Sequence, residues 1–223
     1  MSGIVFSRLG DAPFGDLSRV IEHVRELDVP GHDDVEGLRI RVRAALQDSD
    51  IYVLAVGAGA ARAAHGAASS SDVARVLRVA FALSTGAARY PAARIVIALP
   101  AAALLPDAAT PDPVVLRSLL GMAEALRAEL LPTTAQLSIL FHAAGEDGTA
   151  LLARAVDLAD SGEMYGMSHD LTAERISAYF APMRRAIADA PAGSPLPDIG
   201  PMAQVYTQAV ANRAHAEKTS DVR

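Results

Sequence analysis

The sequence predicts an α/β fold, a three-layer sandwich in which helices cover both faces of a mostly parallel sheet. Residues 94–99 (RIVIAL) form a short apolar run rich in β-branched residues, which is typical of a strand buried on both faces. After a loop rich in alanine and proline, apolar residues at 114–131 recur with the spacing of an amphipathic helix. Strand-like runs at 50–59 and 135–141 repeat the pattern. Because ligands bind beyond the carboxyl ends of parallel strands, a site is expected in the loops that leave these runs.

The N-terminal part of the chain predicts too few elements for a complete dinucleotide-binding half. Residues 3–8 favour a strand, residues 17–25 a short helix or helix–strand join, and residues 32–47 an amphipathic helix. A complete half alternates three strands with helices, at roughly 30 residues for each βαβ unit. We therefore expect the N-terminal βα unit to be missing or stunted.

The loop after the first predicted strand lacks the glycine spacing that binds a diphosphate. It offers Gly10 and Gly15 alone, and Asp11 and Asp16 beside them would repel phosphate groups. We interpret the segment as a plain turn that ends in an N-cap at Asp16. No cofactor is therefore expected, and NAD(P) binding is predicted to be lost.

The remaining elements complete one α/β domain and a C-terminal extension. A final strand is predicted at 163–169, and further helices are predicted at 72–86, 149–159 and 172–188. Residues 191–201 hold four prolines and two glycines, which indicate a linker before a last helix. We expect an α/β domain at residues 1–190, followed at 191–223 by a proline-rich linker and a C-terminal helix.

Composition excludes several classes of function. The 223 residues carry a net charge of −6, so a nucleic-acid-binding surface is not expected. The chain has no cysteine, which excludes disulfides and thiolate metal ligands, and its histidines lack the spacing of a metal site. No apolar run reaches the ~20 residues of a membrane span, and the N-terminus does not resemble a secretory leader. We expect a cytoplasmic protein that binds no metal, membrane or nucleic acid.

The predicted strand, loop and helix of residues 94–131 resemble the active-site segment of the short-chain dehydrogenase/reductase (SDR) family. The segment reads RIVIALPAAALLP…VVLRSLLGMAEALRAELL, and VLAVGAG at 53–59 is similar to the family's Asn-Asn-Ala-Gly strand. The resemblance extends from about residue 26 to residue 169. It implies a Rossmann-like fold and, in the family, assembly through a pair of helices from each subunit.

The resemblance also implies that the family's proton relay is absent. The catalytic Ser falls on Pro100, the Tyr near Asp112, the Lys near Leu116 and the Asn on Ala80. None of the four residues is kept, so hydride transfer of the usual kind is not expected. The chain is identified as a degenerate SDR-like protein.

Two residues are candidates for chemistry in the vacated crevice. His142 follows a predicted strand and can act as an acid or base near neutral pH; the alternative is a partly buried His bonded to a backbone carbonyl. Asp112 would take the place of the Tyr; the alternative is an N-cap before a helix that begins with a proline. The residues expected to line a ligand pocket are Gly57, Gly59, Pro100 and Tyr165.

Three functions remain open. In the first, the chain is a non-catalytic SDR-like subunit, a pseudoenzyme that assembles with itself or with an active SDR through the helices at 72–86 and 114–131. Both helices carry apolar residues outside a single stripe, namely Val79, Leu83, Val115, Met122 and Leu131. In the second, it is a cofactor-independent dehydratase, isomerase or cyclase that binds a small metabolite or polyketide. In the third, it is an NAD(P)-dependent oxidoreductase.

Overall fold

The computed structural model describes residues 3–10, 23–27, 29, 34–57, 70–103, 113–143 and 146–168. All of them lie in the first of two compact units, Met1–Ser168. The predicted helix at 172–188, and the predicted domain boundary at residue 190 with the linker and helix beyond it, lie outside the described residues. The domain division therefore stays a prediction.

The described residues form one parallel sheet and four α-helices. The sheet has the order β2-β1-β3-β4-β5-β6. Its strands are β1 Gly3–Leu9, β2 Val24–Glu26, β3 Ser49–Val56, β4 Arg94–Pro100, β5 Gln136–His142 and β6 Tyr165–Met167. The helices are α1 Val35–Ala45, α2 Ser70–Ala88, α3 Pro113–Leu130 and α4 Gly148–Ser161.

The predicted Rossmann-like α/β fold is confirmed. Each of the five strand pairings is parallel. Strands β3, β4 and β5 are apolar along almost their whole length because helices cover both faces of a parallel sheet. One face packs on α4 in a core that includes Val53, Val96, Leu140 and Leu151.

The described sheet has one strand fewer on the β1 side than the six-stranded doubly wound order 3-2-1-4-5-6. Only β2 lies beyond β1, and it has three residues, paired through Ile4↔Val24, Val5↔Arg25 and Phe6↔Glu26. Residues 11–22, between these two strands, lie outside the described residues, so the missing or stunted N-terminal βα unit stays a prediction.

Carboxylates fix the starts of two helices. Asp34 caps α1, where its side chain accepts a hydrogen bond from the Gly37 N–H at 2.9 Å. Asp147 caps α4 in the same way by accepting from the Thr149 and Ala150 N–H groups. Because Asp147 is only five residues after His142, the N-terminus of α4 lies close to the carboxyl end of β5.

The opposite, amino-terminal end of the sheet is held by Arg94 at the start of β4. Its guanidinium donates to Asp50 at the start of β3 over 2.5 Å and also to Asp160 near the end of α4. One side chain therefore connects two strands and a helix on the side of the sheet away from the crevice.

Candidate functional site

The carboxyl ends of β1 and β3 form the switch point of the sheet. The chain leaves β1 toward β2 on one side and leaves β3 toward β4 on the other, which opens a crevice between the two strand ends. Gly10 follows β1 with a φ of 72°, a left-handed conformation that glycine adopts without strain. Gly57 follows β3, is buried, and donates its N–H to the Leu9 carbonyl at 2.8 Å. Its predicted role in a ligand pocket stays a prediction, and Gly59 lies outside the described residues.

His142 is buried at the carboxyl end of β5. Its Nε2 lies 3.1 Å from the Val56 carbonyl oxygen and its Nδ1 lies 3.1 Å from the Ala143 carbonyl oxygen. The ring therefore connects the end of β5 to the end of β3, as in the alternative interpretation of a His bonded to a backbone carbonyl. Its role as an acid or base stays a prediction.

Pro100 occupies the strand between these two ends. It is buried and pairs in register with His142, and it has no N–H to offer the neighbouring strands. The imidazole of His142 reaches past it to the Val56 carbonyl. Pro100 is the last residue of β4, at the end of a strand as the sequence predicts. Its contact with a ligand stays a prediction.

The structure adds a residue that sequence reasoning missed, Glu146. Its side chain is 5% exposed, and its carboxylate accepts a hydrogen bond from the Ala143 N–H at 3.2 Å. Burying an ionised carboxylate costs several kcal/mol. A hydrogen bond to a charged group offsets about 1.5–3 kcal/mol and a nearby helix N-terminus about 0.3–1 kcal/mol. Among the described residues, the buried Glu146 carboxyl group has this one hydrogen bond and no paired Arg or Lys.

Ser168 is a second residue that the sequence did not identify. It follows β6, is 3% exposed, and donates its backbone N–H to the Phe141 carbonyl at 2.9 Å. Its hydroxyl has no hydrogen-bond partner within the part of the chain that the structure describes. Buried hydroxyls are normally paired, so an unpaired one at the carboxyl end of a parallel sheet is of functional interest.

Three of the four SDR relay positions lie in described elements, and none can transfer a proton. Leu116 on α3 and Ala80 on α2 are both 0% exposed, and Pro100 has no hydroxyl. Asp112, at the position of the Tyr, lies outside the described residues, so its predicted role stays a prediction. At the described positions that the resemblance assigns to the relay, the side chains are apolar, and Leu116 and Ala80 belong to the core.

Tyr165 lies on the side of the sheet that faces α3. Its ring packs against Phe141, and its hydroxyl donates to Glu124 on α3 at 2.8 Å. Burial, followed by the hydrogen bond and charge of Glu124, raises the pKa of Tyr165 to about 12, while the Arg127 guanidinium above the ring opposes the rise. Among the described residues, these contacts attach β6 to α3. The predicted contact of Tyr165 with a ligand stays a prediction.

Three of the five residues expected to face a second subunit are buried within this chain. Val79 and Leu83 on α2 and Val115 on α3 are 7%, 0% and 1% exposed, so they pack inside this chain. Met122 is half-buried, and Leu131 is 73% exposed just after α3 ends. The exposed residues of α3 are instead Val114, Arg117, Gly121, Ala125, Ala128 and Glu129.

The described residues contain no group of three or more His, Asp or Glu side chains placed to hold a metal ion. No described helix is long and apolar enough to cross a bilayer. The predicted cytoplasmic location stays a prediction.

Comparisons with solved structures identify the fold. A short-chain dehydrogenase from Burkholderia cenocepacia J2315 in complex with NADP matches 85% of this chain and 99% of its own, at 15% identity and a TM-score of 0.58. The fold is that of the SDRs. A Serratia marcescens SDR matches 74% of this chain and 94% of its own, at 17% identity and a TM-score of 0.54. BdcA in complex with NADPH matches 74% and 91%, at 14% identity and a TM-score of 0.52. No protein-family model and no curated protein sequence matches the chain.

The expectation that no cofactor is used and that NAD(P) binding is lost is wrong. Two proteins with this fold are complexes with NADP and NADPH, and the described residues do not show that binding is lost. The expectation came from glycine spacing and from Asp11 and Asp16. Phosphates at this position bind backbone N–H groups at a turn, and the left-handed Gly10 directly after β1 is compatible with such a turn.

Proposed function

We propose that this chain is a dinucleotide-binding, SDR-like subunit that has lost the family's proton relay and acts through assembly. Its partner would be a second copy of itself or an active SDR. The observation that carries the proposal is the complete burial of Leu116 and Ala80, with a proline at position 100. A relay needs polar groups that reach the substrate, and these side chains are apolar and contribute to the core.

Dinucleotide binding is supported by the geometry of the β1–β2 edge. Glu26 ends β2, on the strand next to the Gly10 turn, and is paired with Arg8 on β1 at 2.5 Å. In dinucleotide-binding α/β folds, an acidic residue at this end of the second strand hydrogen-bonds the ribose, and a nearby Arg accommodates a 2′-phosphate. Similar proteins bound to NADP and NADPH favour the same ligand class for this chain.

Assembly is supported by the outward face of α3. Val114, Gly121, Ala125 and Ala128 are exposed on one side of the helix, and Val114 is 68% exposed. A Cβ added at Gly121 would meet no atom within 4 Å. Small side chains allow another helix to approach closely, so this face suits helix pairing of the kind found in the SDR family.

The assembly proposal is tested by light scattering on the purified chain and on Gly121→Gln. The wild type is expected to be an oligomer, alone or when mixed with an SDR encoded beside it, and Gly121→Gln is expected to remain smaller. Because Gln is a better helix former than Gly and has open space here, the fold should not suffer. The matched control is Ala150→Gln on α4, an exposed small residue on the other side of the sheet, which should leave the mass unchanged. A monomeric wild type under both conditions, or unchanged assembly in Gly121→Gln, would contradict the proposal.

The reductase alternative is tested by hydride transfer. Stoichiometric NADH or NADPH is mixed with enzyme and a panel of aldehydes and ketones, and absorbance at the nicotinamide band is followed. The proposal predicts bound dinucleotide without oxidation. Oxidation that depends on the carbonyl compound would favour the reductase.

An enzyme of another class remains a second candidate, because buried polar groups collect near His142 at the carboxyl end of β5. The reaction would be a dehydration, isomerisation or cyclisation, with Asp112 and His142 as the predicted acid and base. A substrate turned over by the wild type, but not by Asp112→Asn or His142→Ala, would favour it over the subunit.

A further inference from the structure

Half of the buried polar side chains in the described residues lie at the carboxyl ends of β5 and β6. Six such residues are buried, and three of them follow or end the last two strands. His142, Glu146 and Ser168 are 2%, 5% and 3% exposed, and together they are called the carboxyl-end cluster. The residues nearby on α4 are apolar, with Leu151 and Leu152 almost fully buried.

Strand register places the cluster on one face of the sheet. Phe141 pairs with Met167, so His142 and Ser168 are the next residues on neighbouring strands. Leu140 belongs to the core around α4, and the backbone of Gly166 lies against Leu158 of α4. Because side chains alternate along a strand, His142 and Ser168 project into the same layer, between the sheet and α4. Glu146 lies just before α4 and reaches back to the Ala143 N–H at the end of β5.

The cluster has more acceptors than donors. The Glu146 carboxylate accepts one hydrogen bond among the described residues, although a carboxylate can accept about four. The Ser168 oxygen has no described partner and can accept or donate. Both ring nitrogens of His142 already face carbonyl oxygens. A ligand that completes these bonds must therefore bring donors, and a positive charge would balance the carboxylate.

We propose that the carboxyl-end cluster binds the ammonium group of a small amine. Glu146 supplies the countercharge and the main acceptor, and Ser168 accepts a further N–H. The exposed Asp147 next to Glu146 adds negative potential at the same rim of the crevice. The site lies mainly at β5 and β6, and His142 connects it to Val56 at the end of β3. Its proposed ligand does not require a bound dinucleotide.

The test is thermal melting with methylammonium chloride, compared with equal concentrations of tetramethylammonium chloride, in the absence of dinucleotide. Both ions carry one positive charge, but only methylammonium has N–H groups to donate. A ligand this small binds in the millimolar range at best. At tenfold over its dissociation constant, methylammonium is expected to raise Tm by about 3–6 °C. An equal shift with tetramethylammonium would mean a nonspecific salt effect and would overturn the proposal.

Three variants locate the effect. Glu146→Gln keeps the shape and removes the charge, and it should weaken methylammonium binding at least tenfold. Asp157→Asn removes an exposed carboxylate elsewhere on α4 and should respond like the wild type. Ser168→Ala should weaken binding several-fold, and it should fold because its hydroxyl has no described partner. If methylammonium raises the Tm of Glu146→Gln as much as that of the wild type, the proposal is overturned. If Glu146→Gln does not fold, an undiminished rise in the Tm of Ser168→Ala overturns it instead.

Discussion

Two glycines on the helices that cover one face of the sheet lie in opposite surroundings, and replacing each with Ala measures how tightly these helices pack. A Cβ at Gly86 on α2 would lie 2.9 Å from the Cα and 3.1 Å from the carbonyl oxygen of Arg39 on α1. At Gly121 on α3 it would meet nothing within 4 Å. Both changes gain about 1 kcal/mol of helix propensity, because Ala loses less backbone entropy than Gly on folding.

The two variants are expected to differ in stability by about 1–3 kcal/mol, because overpacking at Gly86 costs about that much. Backbone atoms cannot move aside as the end of a flexible side chain can, so α1 must shift away from α2. Gly121→Ala should therefore be about 0.5–1 kcal/mol more stable than the wild type, and Gly86→Ala equal or less stable. The expected separation in Tm is about 2–4 °C for each kcal/mol.

The assay is urea denaturation followed by circular dichroism at two protein concentrations tenfold apart. Unfolding coupled to dissociation depends on concentration, so agreement between the two series shows that the fold itself is measured. If both variants gain equal stability, the close α1–α2 contact at Arg39 is not present in solution and the reasoning is refuted.

Two further predictions concern ionisable groups. Folding raises the pKa of Tyr165 from 10.0 to about 12, so the folded chain holds this proton more tightly and its stability is complete below pH 10 and falls as the pH rises to 12. Between pH 10 and pH 12, the free energy of unfolding of Tyr165→Phe should fall by about 1–2 kcal/mol less than that of the wild type, as measured by urea denaturation. Burial also raises the pKa of Tyr52, but this residue is present in both proteins and so does not affect the difference. Equal losses in the two proteins would contradict the prediction. Arg94→Met should lower the free energy of unfolding by about 1–3 kcal/mol, because it removes two ion pairs, and 1 M salt should reduce the difference. Asp160→Asn should lower the free energy of unfolding by less than about 1 kcal/mol, because the Asp160 side chain is 59% exposed. If Asp160→Asn and Arg94→Met lowered it equally, the Arg94 guanidinium would not be shared between two carboxylates.

The central strands could be predicted closely from the sequence. The run at 94–99 is one residue shorter than β4 at its carboxyl end, and the run at 135–141 is shifted by one residue from β5. Continuous apolar, β-branched segments identify buried strands without reference to the rest of the fold. The short strand β2 could not be found in this way, because its three residues carry no pattern and depend on pairing with β1.

The misjudged helix residues have a physical explanation. Val79, Leu83 and Val115 were assigned to a subunit interface because they lie outside a single apolar stripe. In the structure, α2 packs against the sheet and against α1 and α3, so more than one side of it is buried within the same chain. Periodicity measures how much of a helix is apolar, and it does not show which neighbour covers each side.

The candidate site was only partly visible in the sequence. His142 was found because it ends a recognisable strand. Glu146 lies two residues before a helix, where an acidic residue is usually an exposed cap, so its burial could not be foreseen. Ser168 follows a three-residue strand and has no motif around it. Both become candidates only when the strand register brings them beside His142.

Calorimetric titration of the purified chain with NADPH and with NADH decides whether the SDR-like crevice still binds a dinucleotide. Saturable binding of at least one of them, without oxidation when aldehydes or ketones are added, is the predicted result for a subunit that keeps the cofactor crevice and lacks the relay. No binding of either dinucleotide at millimolar concentration, or binding followed by carbonyl-dependent oxidation, would contradict it.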